Sequence, residues 1–376
     1  MDDTVTPLEI ALIAPLCESV PPRLYGGTER VVAILAEALV AQGHHVTLFA
    51  SGDTKTTAKL VPGRSCALRL DPSPLRCDVA AHLSMLHYVR RRAGQFDVLH
   101  FHVDLLHFPF FEKMADRTLT TLHGRLDLGD LPDFYRRWPQ FPLVSISDSQ
   151  RRPLPFANWR ATVRHGLPIR MFSPSTTHQG YLAFLGRISP EKRPDRAIEI
   201  ARRACMRLLI AAKVDPADEA YFREKVRPMM MANPSVEYIG EIGDSDKQQL
   251  LGNAAALLFP VDWPEPFGLV MIEAMACGTP VIAWPNGAVP EVLEEGVTGF
   301  LVDSVEKAAE ATGRIETIDR QRVRACFERR FSAEAMSKNY VRLYSEISGL
   351  ARRRDDDVHY RRRQERAADR YRVLRA

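Results

Sequence analysis

Two glutamates, Glu265 and Glu273, stand on either side of the apolar run PFGLVMI in the stretch VDWPEPFGLVMIEAMACG. Carboxylates accept hydrogen bonds from paired hydroxyls, so two of them about one nucleotide sugar's length apart can hold a ribose diol and a hexose diol at once. Upstream, GRISPEKRPDRAI sets Arg187 and Lys192 around a short loop, with Pro194 where a first helical turn begins. A guanidinium fork and an ammonium point charge at one loop suit a diphosphate, while simple pairing with nearby acids is the competing reading. A third stretch, PPRLYGGTERVV, puts Gly26 and Gly27 before an amphipathic run. Free N–H groups there suit an anion or a sugar hydroxyl; equally, the pair reads as a tight turn with Thr28 as helix cap. It is not the GxGxxG fingerprint, which weighs against a nicotinamide enzyme.

These residues need elements to hold them. Short apolar runs alternate with amphipathic stretches almost throughout, the pattern of an α/β protein with parallel sheets. Strands are expected at EIALIAPL, HVTLFAS, FDVLHFHV, TLTTLHG, FPLVSIS and ATVRHGL, then at YLAFLGRI, RLLIAAK, VEYIGEI, AALLFP, TPVIAW and GFLV. In TERVVAILAEALVAQG, Val31, Ile34, Leu35, Ala38 and Leu39 share one helical face. The alternation stops at SPSTTHQG, residues 173–180, so the expected division is 1–175, 176–350 and a charged helical tail, 351–376. FGLVMIEAMACG reads as a helix starting after Pro266 and ending at Gly278, which puts Glu265 on a loop and Glu273 mid-helix. Ligands of open parallel sheets sit at the strands' carboxyl ends, so the site is expected in a cleft between the two halves.

With 376 residues, 45% of them hydrophobic and 26% charged, the chain has the composition of a globular protein with two cores. No apolar run approaches the roughly 18 residues that span a bilayer. The opening MDDTVTPLEIALIAPL starts with two acids and runs into a strand pattern, which reads against a secretory signal and for a cytoplasmic protein. Six cysteines lack metal spacing, so neither disulfides nor a structural metal is expected. Basic and acidic residues number 20 and 17 in residues 1–175, 21 and 25 in 176–350, and 10 and 5 in 351–376. The tail, with Tyr360, Ala367, Tyr371 and Leu374 at helical spacing, reads as a solvated helix or as a contact with anionic lipid or a partner. Nucleic acid is not expected, since no basic stripe with aromatics extends beyond that tail.

Other features carry simpler readings. Asp244 to Asp246, DSD, has a metal-binding form but precedes a helical run and reads as its cap. His100 and His102 alternate along a strand without an evident third ligand, so one of them is expected to face the cleft. Met229 to Met231 are expected to pack. The segments SGDTKTTAKLVPGRS and GRLDLGDLPDFYRRW read as loops of the N-terminal half, and YRRW and YVRRR add basic, aromatic surface there.

EPFGLVMIE resembles the E-x7-E motif of retaining glycosyltransferases of the GT-B fold, family 4. YGGTERV, TLHGR, VSISDSQR, VRHGLP and FLGRISPEKRPDRAI follow in the family's order, over roughly residues 8–350. The resemblance implies two facing Rossmann-like domains with an inter-domain cleft, the donor held mainly by the C-terminal one. It implies that Glu273 holds the nucleotide ribose, that Glu265 and the amides of Phe267, Gly268 and Leu269 meet the donor sugar, and that Arg187 and Lys192 meet the diphosphate. Gly27, beside Gly26, would approach the diphosphate from the other domain; His123 would lie near the reacting sugar; Gly240, Glu241 and Ile242 would meet the base. His165 stands where the family commonly has asparagine. The implied reaction is metal-independent hexosyl transfer with retention, without a cofactor. UDP-glucose is the first donor and GDP-mannose the second; the acceptor is a sugar, a lipid-linked or a small molecule, with peripheral membrane contact at the inner face. A sugar nucleotide 2-epimerase of the same fold and a catalytically silent partner in polysaccharide assembly are the alternatives.

Overall fold

The strand Glu9–Ile13 (β1) is buried at four of its five positions, as a strand flanked on both faces must be. It pairs in parallel with His45–Ser51 (β2) and Val98–Phe101 (β4). The computed structural model describes residues 6–73 and 77–349. Lys59–Arg64 (β3), Thr118–Thr121 (β5), Leu143–Ser145 (β6) and Trp159–Thr162 (β7) complete a seven-stranded parallel sheet of order β3-β2-β1-β4-β5-β6-β7. A second parallel sheet contains Tyr181–Ile188 (β8), Arg207–Val214 (β9), Val236–Gly240 (β10), Ala254–Phe259 (β11), Val281–Ala283 (β12) and Gly299–Leu301 (β13), in the order β10-β9-β8-β11-β12-β13. Each order reverses once, between β1 and β4 and between β8 and β11. Loops leaving neighbouring strands diverge at such points and open a crevice.

Several boundaries differ from the sequence reading. β3 lies inside SGDTKTTAKLVPGRS, which reads as a loop because Pro62 and Gly63 interrupt it. An edge strand tolerates a proline, since one side of its ladder has no partner. The strand expected at ATVRHGL is already complete at Thr162. β8 extends past Gly186 to Ile188, so Arg187 is a strand residue. GRLDLGDLPDFYRRW includes a short helix, Leu131–Arg137, with Tyr135 buried. Met231 is 77% exposed, and only Met229 and Met230 pack on the core. The charged tail lies outside the described residues.

The last described helix, residues 333–349, follows the second sheet in sequence but packs on the first. The Tyr344 hydroxyl lies 2.7 Å from His100 Nδ1, Thr121 Oγ1 lies 2.8 Å from His100 Nε2, and the Tyr340 hydroxyl lies 2.9 Å from Thr121 Oγ1. All four side chains of this network are buried, so the polar atoms in it need these partners. On the helix Arg320–Arg330, Arg320 donates to the carbonyls of Ser175, Ala254 and Gly252 and to Thr279 Oγ1 at 2.7–2.9 Å. It thus ties the segment between the two sheets to the start of β11, inside the second.

Candidate functional site

A cleft of about 570 Å³ opens where the carboxyl ends of the two sheets face each other. Arg187, Lys192, Glu265, Glu273, His123, Gly26, Gly27, Glu241, Ile242, Phe267, Gly268 and Leu269 all line it. Of the residues singled out in the sequence, Gly240 does not line it; it ends β10 at φ 80° and turns the chain toward Glu241.

The first sheet contributes the loop after β1, the start of the helix Gly27–Ala41, and His123 beyond β5. That helix begins at Gly27, so Thr28 lies inside its first turn and no side chain caps it. Gly27 faces the other half of the cleft: a Cβ there would stand 3.4 Å from Leu269 Cδ1. Glu29, in the same turn, is buried, and its carboxyl is pushed above the usual range by that burial.

The second sheet contributes the cations and both glutamates. Arg187 is flanked by Glu191, Asp215 and Asp218, each at 3.6–3.7 Å and none close enough for a hydrogen bond. Its Nε is buried without a hydrogen-bond partner among the described residues. The acids hold the guanidinium in place while its donors remain available, the condition for receiving an anion. Lys192, on the loop after β8, contacts Glu265 Oε2 directly and lies 5.1 Å from the Trp263 ring centroid. Trp263 Nε1 donates to the same oxygen at 2.9 Å. Lys192 thus pairs with an acid, as the competing reading supposed, but that acid is Glu265 in the cleft.

The loop carrying Glu265 is held by a close backbone approach. Gly287 has φ 63°, and a Cβ there would come within 2.3 Å of the Glu265 backbone. The helix Leu269–Ala276 starts two residues later than FGLVMIEAMACG suggests, because Gly268 adopts φ 87°, a left-handed conformation that cannot begin an α-helix. Glu273 is mid-helix and 2% exposed, with Lys247 Nζ 2.8 Å from its carboxylate.

Lys247 belongs to DSDK, and the helix there begins at Asp244 with no side-chain cap, so the aspartates occupy its first turn instead of capping it. Asp244 accepts from Arg30 across the cleft at 2.7 Å. Glu241 likewise accepts from the Tyr25 backbone N–H at 3.1 Å, and Arg125 Nη1 donates to Glu191 at 3.0 Å. Lys247, Trp263, Asp104 and Arg30 are cleft or cross-cleft residues that the sequence reading did not select. Only Lys247 left a trace, at one helical turn from Asp244. Asp104, at φ 49°, opens onto the cleft, and the surrounding protein pushes its carboxyl above the usual value.

Neither histidine of HFH lines the cleft. His100 is bonded to Tyr344 and Thr121, while His102 Nδ1 lies 2.9 Å from His123 Nε2. His123 does reach the cleft, half-buried, and burial pushes its imidazole down to about 3. His165, the departure in VRHGLP, also lines the cleft, with its ring stacked 5.3 Å from that of His123.

Known proteins bear on this arrangement. Residues 25–192 match the model of Glycosyltransferase Family 4, and residues 169–330 match that of Glycosyl transferases group 1. A phosphatidyl-myo-inositol mannosyltransferase of Mycolicibacterium smegmatis is 25% identical over 390 residues, covering 91% of this chain and 95% of its own. A D-inositol 3-phosphate glycosyltransferase of the same organism is 31% identical over 204 residues, covering 48% of this chain and 43% of its own. Among solved structures, the sucrose-phosphate synthase of Thermosynechococcus elongatus superposes with a TM-score of 0.71 at 20% identity, over 91% of this chain and 99% of its own. AviGT4, a glycosyltransferase involved in avilamycin A biosynthesis, gives 0.67 at 23% identity, over 91% and 98%. The fold is GT-B. With both halves matching glycosyltransferase families, the chain is a GT-B glycosyltransferase similar to family 4.

Proposed function

We propose that the chain moves a hexose from a nucleotide diphosphate sugar to a hydroxyl acceptor, with retention at the anomeric carbon. The observation that carries this reading is the convergence of Arg187, Lys192, Glu265 and Glu273 on one cleft between two sheet ends. Arg187 and Lys192 receive the diphosphate, Glu273 the ribose diol, and Glu265 with the amides of Phe267 to Leu269 the hexose hydroxyls. Charge on the leaving phosphate is offset by these fixed cations, preorganised before reaction and needing no metal for that task. Glu265 is already engaged by Lys192 and Trp263. Such a carboxylate is a poor nucleophile, which favours electrostatic stabilisation over a covalent glycosyl intermediate.

The donor hexose is glucose or mannose. Relatives named for mannosyl transfer onto phosphatidyl-myo-inositol weigh toward mannose and toward an acceptor on a lipid. Calorimetric titration with UDP, GDP, ADP and their hexose conjugates tests the reading. One nucleotide is expected to bind saturably, and Glu273→Ala to weaken it about tenfold or more by removing a diol contact. Absence of binding by all of them would overturn the assignment.

A lipid acceptor places the protein at the cytoplasmic membrane face. On the helix Asp78–Arg92, the exposed Val79 and Leu83 lie along one edge of the solvent-facing side, Tyr88 and Arg91 lie toward the other, and Arg90 donates to the carbonyl of Phe110, itself exposed. An exposed helix side that carries these apolar groups and ends in three arginines suits anionic headgroups. Co-sedimentation with phosphatidylglycerol vesicles, lost in Leu83→Glu and in high salt, is the expected result; equal pelleting with neutral vesicles excludes the electrostatic part.

A further inference from the structure

His102 is 2% exposed and sits just past β4, behind His123 as seen from the cleft. Its Nδ1 lies 2.9 Å from His123 Nε2, while its own Nε2 is buried without a hydrogen-bond partner among the described residues. Burial keeps both imidazoles neutral near pH 7. Two neutral imidazoles facing each other through nitrogen share one proton, so only two arrangements exist. If His123 donated from Nε2, His102 would carry its proton on Nε2, leaving a buried N–H with no acceptor. If His102 donates from Nδ1, its Nε2 is a bare lone pair, and His123 carries its proton on Nδ1. An orphaned buried donor is rarer and costlier than an unused lone pair, which selects the second arrangement.

We propose that His102 is a positioning residue: it donates Nδ1–H to His123 Nε2 and thereby fixes His123 as the Nδ1–H tautomer. His123 Nδ1 makes no hydrogen bond among the described residues, so it is the one ring group left for a ligand at the cleft. With Nε2 occupied and Nδ1 protonated, His123 can donate a hydrogen bond to a hydroxyl but cannot take that hydroxyl's proton. The inference that this hydroxyl belongs to the hexose rests on the function proposed above; the tautomer does not. The acceptor's proton must then leave by another group, and the departing phosphate is the group that gains basicity as the glycosidic bond breaks. The bond from the anomeric carbon to the phosphate oxygen breaks, the bond to the acceptor oxygen forms, and the proton passes from that oxygen to the phosphate.

The test is nitrogen NMR on histidine-labelled protein at pH 7.5, with His123 assigned by loss of its signals in His123→Gln. The expected spectrum has a protonated-type nitrogen at Nδ1 of His123 and a bare-type nitrogen at Nε2. His102→Phe removes the donor and is expected to shift His123 toward the Nε2–H form common in water. In assays it should lower kcat about tenfold or more with the Kd of the nucleotide diphosphate unchanged, because only the ring's orientation and tautomer are lost. His102→Asn, whose amide N–H can replace Nδ1–H, is expected to restore the Nδ1–H form and most of the turnover. An Nε2-protonated His123 in the parent protein, or an unchanged tautomer in His102→Phe, overturns the proposal. A correct tautomer in a protein that binds no nucleotide leaves the positioning intact and removes the transferase reading instead.

Discussion

Replacing Lys192 by alanine is expected to lower turnover about 100- to 1,000-fold, the range observed when one preorganised donor to a developing oxyanion is removed. Nucleotide affinity is expected to fall far less, since Arg187 and Glu273 remain. The geometry supplies a necessary control. Lys192 is also the partner of Glu265, which is only 7% exposed, so its loss leaves a buried carboxylate with Trp263 Nε1 as its one remaining side-chain donor among the described residues. An unpaired buried charge destabilises the fold and repels a diphosphate. Lys192→Ala with Glu265→Gln separates the two effects. If the rate returns in the double variant, the loss came from the stranded carboxylate, and Lys192 has no direct part in stabilising the leaving group. If it stays low while thermal stability recovers, the cation acts on the phosphate itself.

Acidification is expected to unfold the protein well before the carboxylates titrate. His100, His102, His107 and His165 are 0 to 4% exposed, and burial holds each imidazole well below its usual value. A group whose folded value is depressed binds its proton first in the unfolded chain, so the stability it contributes is complete above about pH 6.5 and is lost below it. Each such histidine costs roughly 1.4 kcal/mol per pH unit below that point, or about 8 kcal/mol for four at pH 5. That sum approaches the whole stability of an ordinary domain, about 5–15 kcal/mol. Glu29 and Asp104, raised by burial, act in the opposite sense, adding stability as the pH falls from their raised folded values to the ordinary carboxylate range. Near-UV circular dichroism should show loss of tertiary signal between about pH 5 and 6. His107→Leu removes one of the four and leaves His123 as a further depressed ring, so it should reduce the slope of unfolding free energy against pH by about a fifth over that window. Unchanged stability from pH 7 to 5 would mean that these rings accept protons inside the fold.

All four histidines were visible as letters, yet their roles were not. His100 on β4 and His102 just past it alternate, which suggested one ring toward the cleft; what decides their environment is the helix at 333–349, the strand β5 and His123 beyond it, brought alongside by the fold. The same division runs through the site. Local rules were sufficient for the loop after β8, for the prolines before Phe267 and for Glu273 on a helix, because breakers and periodicity act over a few residues. They missed β3, since an edge strand interrupted by Pro62 and Gly63 has no apolar run to read. They also missed the delayed start at Leu269, which depends on the left-handed Gly268.

The sequence by itself determined the α/β class, most strands, the change of pattern between two sheet-forming halves, and the loops on which Lys192 and Glu265 stand. Tertiary structure alone decided the pairing: Lys192 with Glu265, Lys247 with Glu273, Arg30 with Asp244, His102 with His123. Those partners lie between 21 and 214 residues apart in the chain. Which of them meet is set by the order of strands in two sheets and by how the sheet ends face each other, and no periodicity within one segment encodes that.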